Sequence, residues 1–93
     1  MKIKLFNDNI LVTELSDDLV VNGVVSMYDS DNPYMFCKII ALSDEASVNI
    51  DINDILVIKR YAKEEYLPGY YFISYKDVRG SLTEEEYNSL TSN

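Results

Sequence analysis

Apolar residues in this chain come in short runs that alternate with polar ones, the two-residue period of half-buried strands. Ile3-Lys4-Leu5 alternates over three residues, and Ile10-Leu11-Val12-Thr13-Glu14 begins apolar on both faces. Phe36-Cys37-Lys38-Ile39-Ile40-Ala41-Leu42 is long enough to cross a small barrel. Ile55-Leu56-Val57-Ile58 is almost continuously apolar, as a strand covered on both faces would be. Ahead of it, Ile52-Asn53-Asp54 predicts a tight turn with Asn53 in the left-handed conformation. Leu67-Pro68-Gly69 predicts a reverse turn between two tyrosine-rich strands, 61–66 and 70–75, with Pro68 setting φ and Gly69 taking the positive-φ place. Val78 to Leu82 is a last strand, weakened by Gly80. Several short strands separated by turns, with no helix between them, predict an all-β barrel or sandwich over residues 1–82.

The tail breaks this pattern. Thr83-Glu84-Glu85-Glu86 is a capping box, with Thr83 as N-cap, Glu86 returning a hydrogen bond, and Leu82 and Tyr87 placed for a hydrophobic staple. The early glutamates also suit the positive end of a helix. A helix of about two turns is marginal alone, so residues 83–93 either dock on the domain or fray.

One stretch resists assignment to the core. Between Leu15 and Pro33, the acids Asp17, Asp18, Asp29 and Asp31 enclose Leu19-Val20-Val21-Asn22-Gly23-Val24-Val25-Ser26-Met27-Tyr28. Asn22-Gly23 is a strong turn signal because both residues tolerate positive φ. An ordinary surface loop does not follow such a turn with Val24, Val25 and Met27. Either this is a hairpin tip packed on its own domain, or it is an apolar bait offered to another protein.

Composition narrows the possibilities. A chain of 93 residues, 47% hydrophobic and 12% aromatic, makes one domain with enough apolar content for a core. At this size little more than ~60% of the unfolded surface can be buried, so sharing surface with further copies would relieve a marginal monomer. The net charge of −8, with basic residues scattered and only Lys59-Arg60 adjacent, argues against nucleic acid or an anionic membrane as partner. No run approaches a membrane span, and Met1 to Leu5 lacks the apolar core of a secretory signal. A lone cysteine, Cys37, cannot staple the chain, which suits a reducing, cytoplasmic interior.

Catalytic chemistry finds no purchase. Histidine is absent, which removes the usual general base and the commonest metal ligand. Cys37 sits inside a strand pattern with no activating neighbour in sequence. Asp17-Asp18, Asp44-Glu45, Glu64-Glu65 and Glu84-Glu85-Glu86 read as solvated charge. Asp29-x-Asp31 lacks the glycine and terminal glutamate of a calcium loop. Glycine occurs only at 23, 69 and 80, so no phosphate-cradling loop exists. Eight tyrosines without a basic groove fit core and subunit packing better than base stacking. No catalytic residue, metal site or cofactor is expected.

In their order, these signals resemble the ten-kilodalton co-chaperonin family, the lids of chaperonin folding chambers, over roughly residues 1 to 82. Leu5-Phe6-Asn7-Asp8-Asn9-Ile10-Leu11-Val12 keeps the acid and apolar run of the family's Pro-Leu-x-Asp-Arg-Val-Leu-Val, without its proline and arginine. Asn22-Gly23-Val24-Val25-Ser26 stands where the family's mobile loop has Gly-Gly-Ile-Val-Leu. Cys37 to Ser43 is similar to Gly-x-Val-x-Ala-Val-Gly with both glycines replaced, and Ile50 to Ile58 to Val-Lys-Val-Gly-Asp-x-Val-x-Phe. The tyrosine hairpin and Tyr75-Lys76-Asp77-Val78 fall where the family has Glu-Tyr-Leu-Ile-Leu and Asp-Ile-Leu-Ala. The family's roof loop is longer than the Ser43 to Asn49 available here, Arg79 and Gly80 interrupt the final strand, and the tail is extra.

The resemblance implies an all-β, co-chaperonin-like β-barrel with a long mobile loop at about 15–33 and a short C-terminal helix. It implies a homo-oligomer, a heptameric ring, that caps a chaperonin ring in a nucleotide-dependent way and encloses a folding substrate. ATP would be bound by the chaperonin and not by this chain. Gly23, Val24, Val25, Ser26 and Met27 would then contact the chaperonin, with Asp17 and Asp18 keeping the free loop hydrated. Ile3, Leu5, Val78 and Leu82 would lie between subunits, since the family's last strand pairs with the first strand of the next copy. Divergence of this kind suits a virus-encoded lid acting in a host cytoplasm. A structural or virion-type assembly protein reusing the same barrel is the alternative.

Overall fold

Strand β4 (Tyr34–Leu42) runs through the middle of the molecule, and its neighbours on either side come from opposite ends of the sequence. The computed structural model describes residues 3–15, 19–21, 24–26 and 33–91. On one side β4 pairs with β1 (Asn9–Glu14), in a register running from Ile10 opposite Leu42 to Glu14 opposite Cys37. On the other it pairs with β5 (Ile55–Lys59), from Tyr34 opposite Lys59 to Lys38 opposite Ile55. Outside β1 lie β7 (Tyr70–Ser74) and then β6 (Glu64–Leu67); outside β5 lies β8 (Val78–Leu82). The result is a six-stranded antiparallel sheet of order β6-β7-β1-β4-β5-β8. A separate two-stranded ribbon, β2 (Leu19–Val21) with β3 (Val24–Ser26), interrupts the chain between β1 and β4.

Residues opposite one another across antiparallel strands share a face. Met35, Cys37 and Ile39 of β4 therefore gather with Leu56 and Ile58 of β5, Ile10 and Val12 of β1, and Ile73 of β7 in one buried cluster. The connection after β4 closes the end of this core. Ser43, itself buried, accepts the Ala46 N–H on its hydroxyl at 3.2 Å, and its carbonyl accepts the Ser47 N–H at 2.9 Å. The resulting 3₁₀ turn at Ala46–Val48 drops Ala46 into the cluster, and Ile50 follows it. Ser43, Ala46 and Ile50 thus seal this end of the core, while Asp44, Glu45, Ser47, Val48 and Asn49 stay exposed.

The sheet is mostly as the pattern of apolar residues predicts, but it is not closed into a barrel. β6 and β8 are its two outer strands, and they do not pair with each other. Closure needs end strands whose tilt and stagger bring them together. Here β6 is four residues long and exposed, and its Tyr66 ring packs on Phe72 of its own hairpin, centroids 4.7 Å apart, instead of reaching across the core.

Two local expectations fail for identifiable reasons. Residues 3–6 form no strand, although Leu5 is buried; alternation over three residues sets no structure without a neighbour to pair with. Asn53 does not adopt the left-handed conformation. Asp51 makes that turn instead, its Oδ1 accepting the Asn53 N–H at 2.8 Å and its carbonyl the Asp54 N–H at 2.9 Å, an aspartate-built turn that leaves φ negative. Among the described non-glycine residues the positive φ falls at Asn7, at 58°, in the turn that feeds β1. Asn9 closes that turn by donating from its side-chain amide to the Phe6 carbonyl at 2.7 Å.

The Pro68-Gly69 turn forms as expected, with Gly69 at φ 85° between β6 and β7. The tyrosine-rich strands are shorter than predicted, because 3₁₀ turns take up Arg60–Ala62 and Tyr75–Asp77. Asp8 secures the second of these: its carboxylate accepts the Ser74 hydroxyl at 2.5 Å, and its carbonyl accepts the Tyr75 N–H at 2.9 Å.

The tail docks. Helix α1 (Glu84–Thr91) starts on the capping box, with the Thr83 N–H donating to Glu86 Oε1 at 2.9 Å and the Glu86 N–H donating to Thr83 Oγ1 at 3.0 Å. The Thr83 backbone N–H, then its hydroxyl, hold the Glu86 carboxyl below the ordinary glutamate value. This cap is complete above that ordinary value and lost as pH falls through the lowered one. Tyr87, the buried residue of α1, meets Phe36 of β4 edge-on, ring centroids 5.2 Å apart and planes at 70°.

The two described glycines separate backbone need from backbone cost. Gly69→Ala is expected to lower stability by about 1–2 kcal/mol, because a Cβ is disfavoured at positive φ. Gly80 sits in β8 opposite Val57 with a negative or extended φ, and an added Cβ there would meet no atom. Gly80→Ala should therefore raise stability by about 0.4–1 kcal/mol, and urea midpoints of the two variants test the pair.

Candidate functional site

The segment that the sequence singles out leaves the sheet and returns to it through a pinned neck. As the chain departs from β1, the Leu15 N–H donates to the Phe36 carbonyl at 3.2 Å. As it returns, the Pro33 carbonyl accepts the Arg60 N–H at 2.9 Å. Lys63 sits beside the neck with its ammonium 3.0 Å from the Glu14 carboxylate, 3.5 Å from the Arg60 carbonyl and 5.2 Å over the Tyr71 ring. Glu14 is 42% exposed and Lys63 22%, so the ion pair itself contributes only about 0–1 kcal/mol. Its role is to position: it ties the last residue of β1 to the chain entering β6.

Beyond the neck, β2 and β3 pair antiparallel with Leu19 opposite Ser26, Val20 opposite Val25 and Val21 opposite Val24. Three of the five predicted contact residues, Val24, Val25 and Ser26, thus form one strand of this ribbon. Gly23 and Met27 lie outside the described residues, as do Asp17, Asp18, Asn22, Asp29 and Asp31. The ribbon belongs to no part of the six-stranded sheet. Its neighbour in space is α1, which runs alongside β2.

The residues expected between subunits fall in two places. Val78 and Leu82 belong to β8, half-buried, with Val78 opposite Ile58 and Leu82 opposite Ile55. The outer edge of β8 faces no further strand among the described residues. Ile3 is half-buried and Leu5 buried. Both line a cavity of about 490 Å³ between residues 3–6 and the β6–β7 hairpin, floored by Phe72 and Ile73.

Comparison with known protein families, with characterised proteins and with solved structures finds no match. The site is therefore judged on its own chemistry. Among the described residues no group of three or more His, Cys, Asp or Glu converges as a metal site. No described helix is long and apolar enough to cross a membrane. Cys37 is fully buried, its Sγ 3.8 Å from the Leu56 carbonyl. Burial first, then the nearby Glu14 carboxylate, push its pKa up to about 12, with Lys63 acting the other way. At neutral pH it is a thiol filling space between strands.

Two features of the neck were missed in the sequence, the Lys63 junction and the Phe36–Tyr87 contact. The first had no signal, because Glu14, Lys63 and Tyr71 are brought together only by strand pairing. Tyr87 did have one, since its place four residues after the cap marks it as the helix's apolar anchor.

Native Cys37 should resist iodoacetamide at about pH 8, where a free thiol reacts readily, and become labelled in urea in step with unfolding. The raised pKa carries a sign. The stability that comes from keeping the thiol neutral is complete below its ordinary value of 9.0 and is lost as pH rises toward about 12.

Proposed function

We propose that this protein is a co-chaperonin, a ring-forming lid that grips a chaperonin through the β2–β3 ribbon of each subunit. The observation that carries the reading is the ribbon itself: Leu19-Val20-Val21 and Val24-Val25 form a two-stranded unit outside the main sheet, attached through a pinned neck. An isolated two-stranded ribbon is at best marginally stable in water, and an apolar one gains most by burying itself in a groove on another protein. The ordered series of segments resembling the co-chaperonin family supports the identity of that partner. The free edge of β8 supports assembly, with residues 3–5 of one copy laid along it in the next. In that arrangement the ring supplies the continuity that a closed barrel would otherwise give each subunit.

Weak single contacts suit a lid that must leave. Fixing loop backbone costs about 1–2 kcal/mol per residue, while full burial of each apolar anchor, Val24, Val25 or Met27, returns about 1.5–3 kcal/mol. One loop therefore binds weakly. Several tethered loops engaging together raise avidity by roughly two to four orders of magnitude. Such a lid holds while the chaperonin's nucleotide state exposes its grooves and departs when they close.

A structural assembly protein draws on the same free edge and on α1, but it needs no exchange between states. Co-sedimentation separates the two: a lid pellets with the chaperonin only when nucleotide is present, and a structural protein does not pellet under either condition. The paired change Val24→Ser and Val25→Ser is expected to abolish that co-sedimentation while native mass measurement still finds a heptamer. A monomer at micromolar concentration, or a variant that binds as well as the parent, overturns the reading.

A further inference from the structure

Helix α1 meets the body and the ribbon at one place. Its anchor, Tyr87, packs edge-on against the ring of Phe36. The carbonyl of the same Phe36 accepts the Leu15 N–H that closes the neck of the loop. Just beyond, α1 runs beside β2, the strand that carries the ribbon away from the neck. Leu90 lies three residues after Tyr87 and so on the adjoining part of the same helical face; it is left 44% exposed. The helix begins on a reciprocal cap, Thr83 with Glu86, so its position is set at the start by β8 and in the middle by β4. No other described element of secondary structure lies against β2 as extensively apart from its own partner β3.

We infer that α1 is a tether that holds the β2–β3 ribbon at the loop neck in the unbound subunit, so that releasing the ribbon to a partner works against the docking of the tail. The purpose assigned to the ribbon rests on the co-chaperonin reading; the tether itself does not. A ribbon shared between α1 and a chaperonin groove cannot be fully committed to both. Any contact α1 makes with β2 in the free subunit is then a differential interaction that weakens capture, and loosening α1 strengthens it. Because α1 follows β8, the strand proposed to face the next subunit, assembly and ribbon release act on adjoining parts of the chain.

Hydrogen exchange on the isolated full-length protein tests this without a chaperonin. In Tyr87→Ala, amides over 19–26 are expected to exchange at least about tenfold faster than in the parent, while those of β1 and β5 stay protected. Should Tyr87→Ala unfold the sheet, Ser89→Pro serves: it breaks α1 internally and leaves both the Tyr87 and Phe36 rings in place. Unchanged exchange over 19–26 in a variant whose α1 amides have lost protection overturns the tether. A second arm measures nucleotide-dependent co-sedimentation of Ser89→Pro, expected to be several-fold tighter than the parent. If the parent never binds a chaperonin, the co-chaperonin reading fails and the exchange result still decides the tether; if the parent binds and Ser89→Pro binds no tighter, the linkage between tether and capture is overturned.

Discussion

The double pairing of β4, with β1 on one side and β5 on the other, sends Met35, Cys37 and Ile39 into the one face that the sheet can fill. By the same alternation it turns Phe36 to the opposite face, where it is half-buried. Among the described residues the main sheet has no second sheet of comparable size. The chain supplies two turns of helix and one aromatic ring, Tyr87, set down on Phe36. The Phe36 backbone meanwhile closes the neck of the loop. One residue thereby links core register and loop presentation through its backbone, and tail docking through its ring.

The two ends of the sheet are not equivalent. β6 is wholly exposed and carries Glu64 and Glu65 side by side, charges that discourage pairing at an edge. β8 offers Val78-Arg79-Gly80-Ser81-Leu82, with a single charge and a glycine over which another backbone can approach without meeting a side chain. On the proposed reading, the receptive edge of β8 meets residues 3–5 of the next copy, so the two contacting surfaces differ. Head-to-tail addition of that kind produces a ring when the rotation closes and a filament when it does not. On that reading, the charges of β6 serve to oppose uncontrolled sheet extension at the other edge.

Features of this fold were legible in the sequence where their cause is local. Thr83 and Glu86 reach one another within a single helical turn, and Pro68-Gly69 sets its own dihedral angles, so both could be read from a few consecutive residues. The long strands were legible because their apolar runs have nowhere else to go. Closure was not legible, since it depends on how β6 meets β8, two strands whose separation is set by every register between them. Alternation at Ile3-Lys4-Leu5 misled because a strand is a relation between two segments. Asn53 misled because an aspartate two residues earlier supplies the turn by hydrogen bonding, which removes any need for positive φ. Of the candidate site, the apolar runs on either side of Asn22-Gly23 could be read directly, and they pair as β2 and β3; Asn22 and Gly23 themselves lie outside the described residues. The neck could not, because Leu15, Phe36, Arg60 and Lys63 converge only after the sheet has formed.

On the proposed reading, a tether on each ribbon changes the behaviour of the ring more than that of the subunit. If α1 weakens capture of a single ribbon only threefold, and all seven ribbons must engage, the factors multiply to roughly three orders of magnitude for the whole lid. A contact too weak to matter in one chain then decides whether the assembled lid stays or leaves. The same multiplication explains why a short, marginal helix suffices. A strongly docked tail would silence the ring altogether, whereas a helix of about two turns leaves each ribbon close to balance. The modest anchoring of α1 is therefore what the mechanism requires of it, and a tail with a larger apolar face would make a poorer lid.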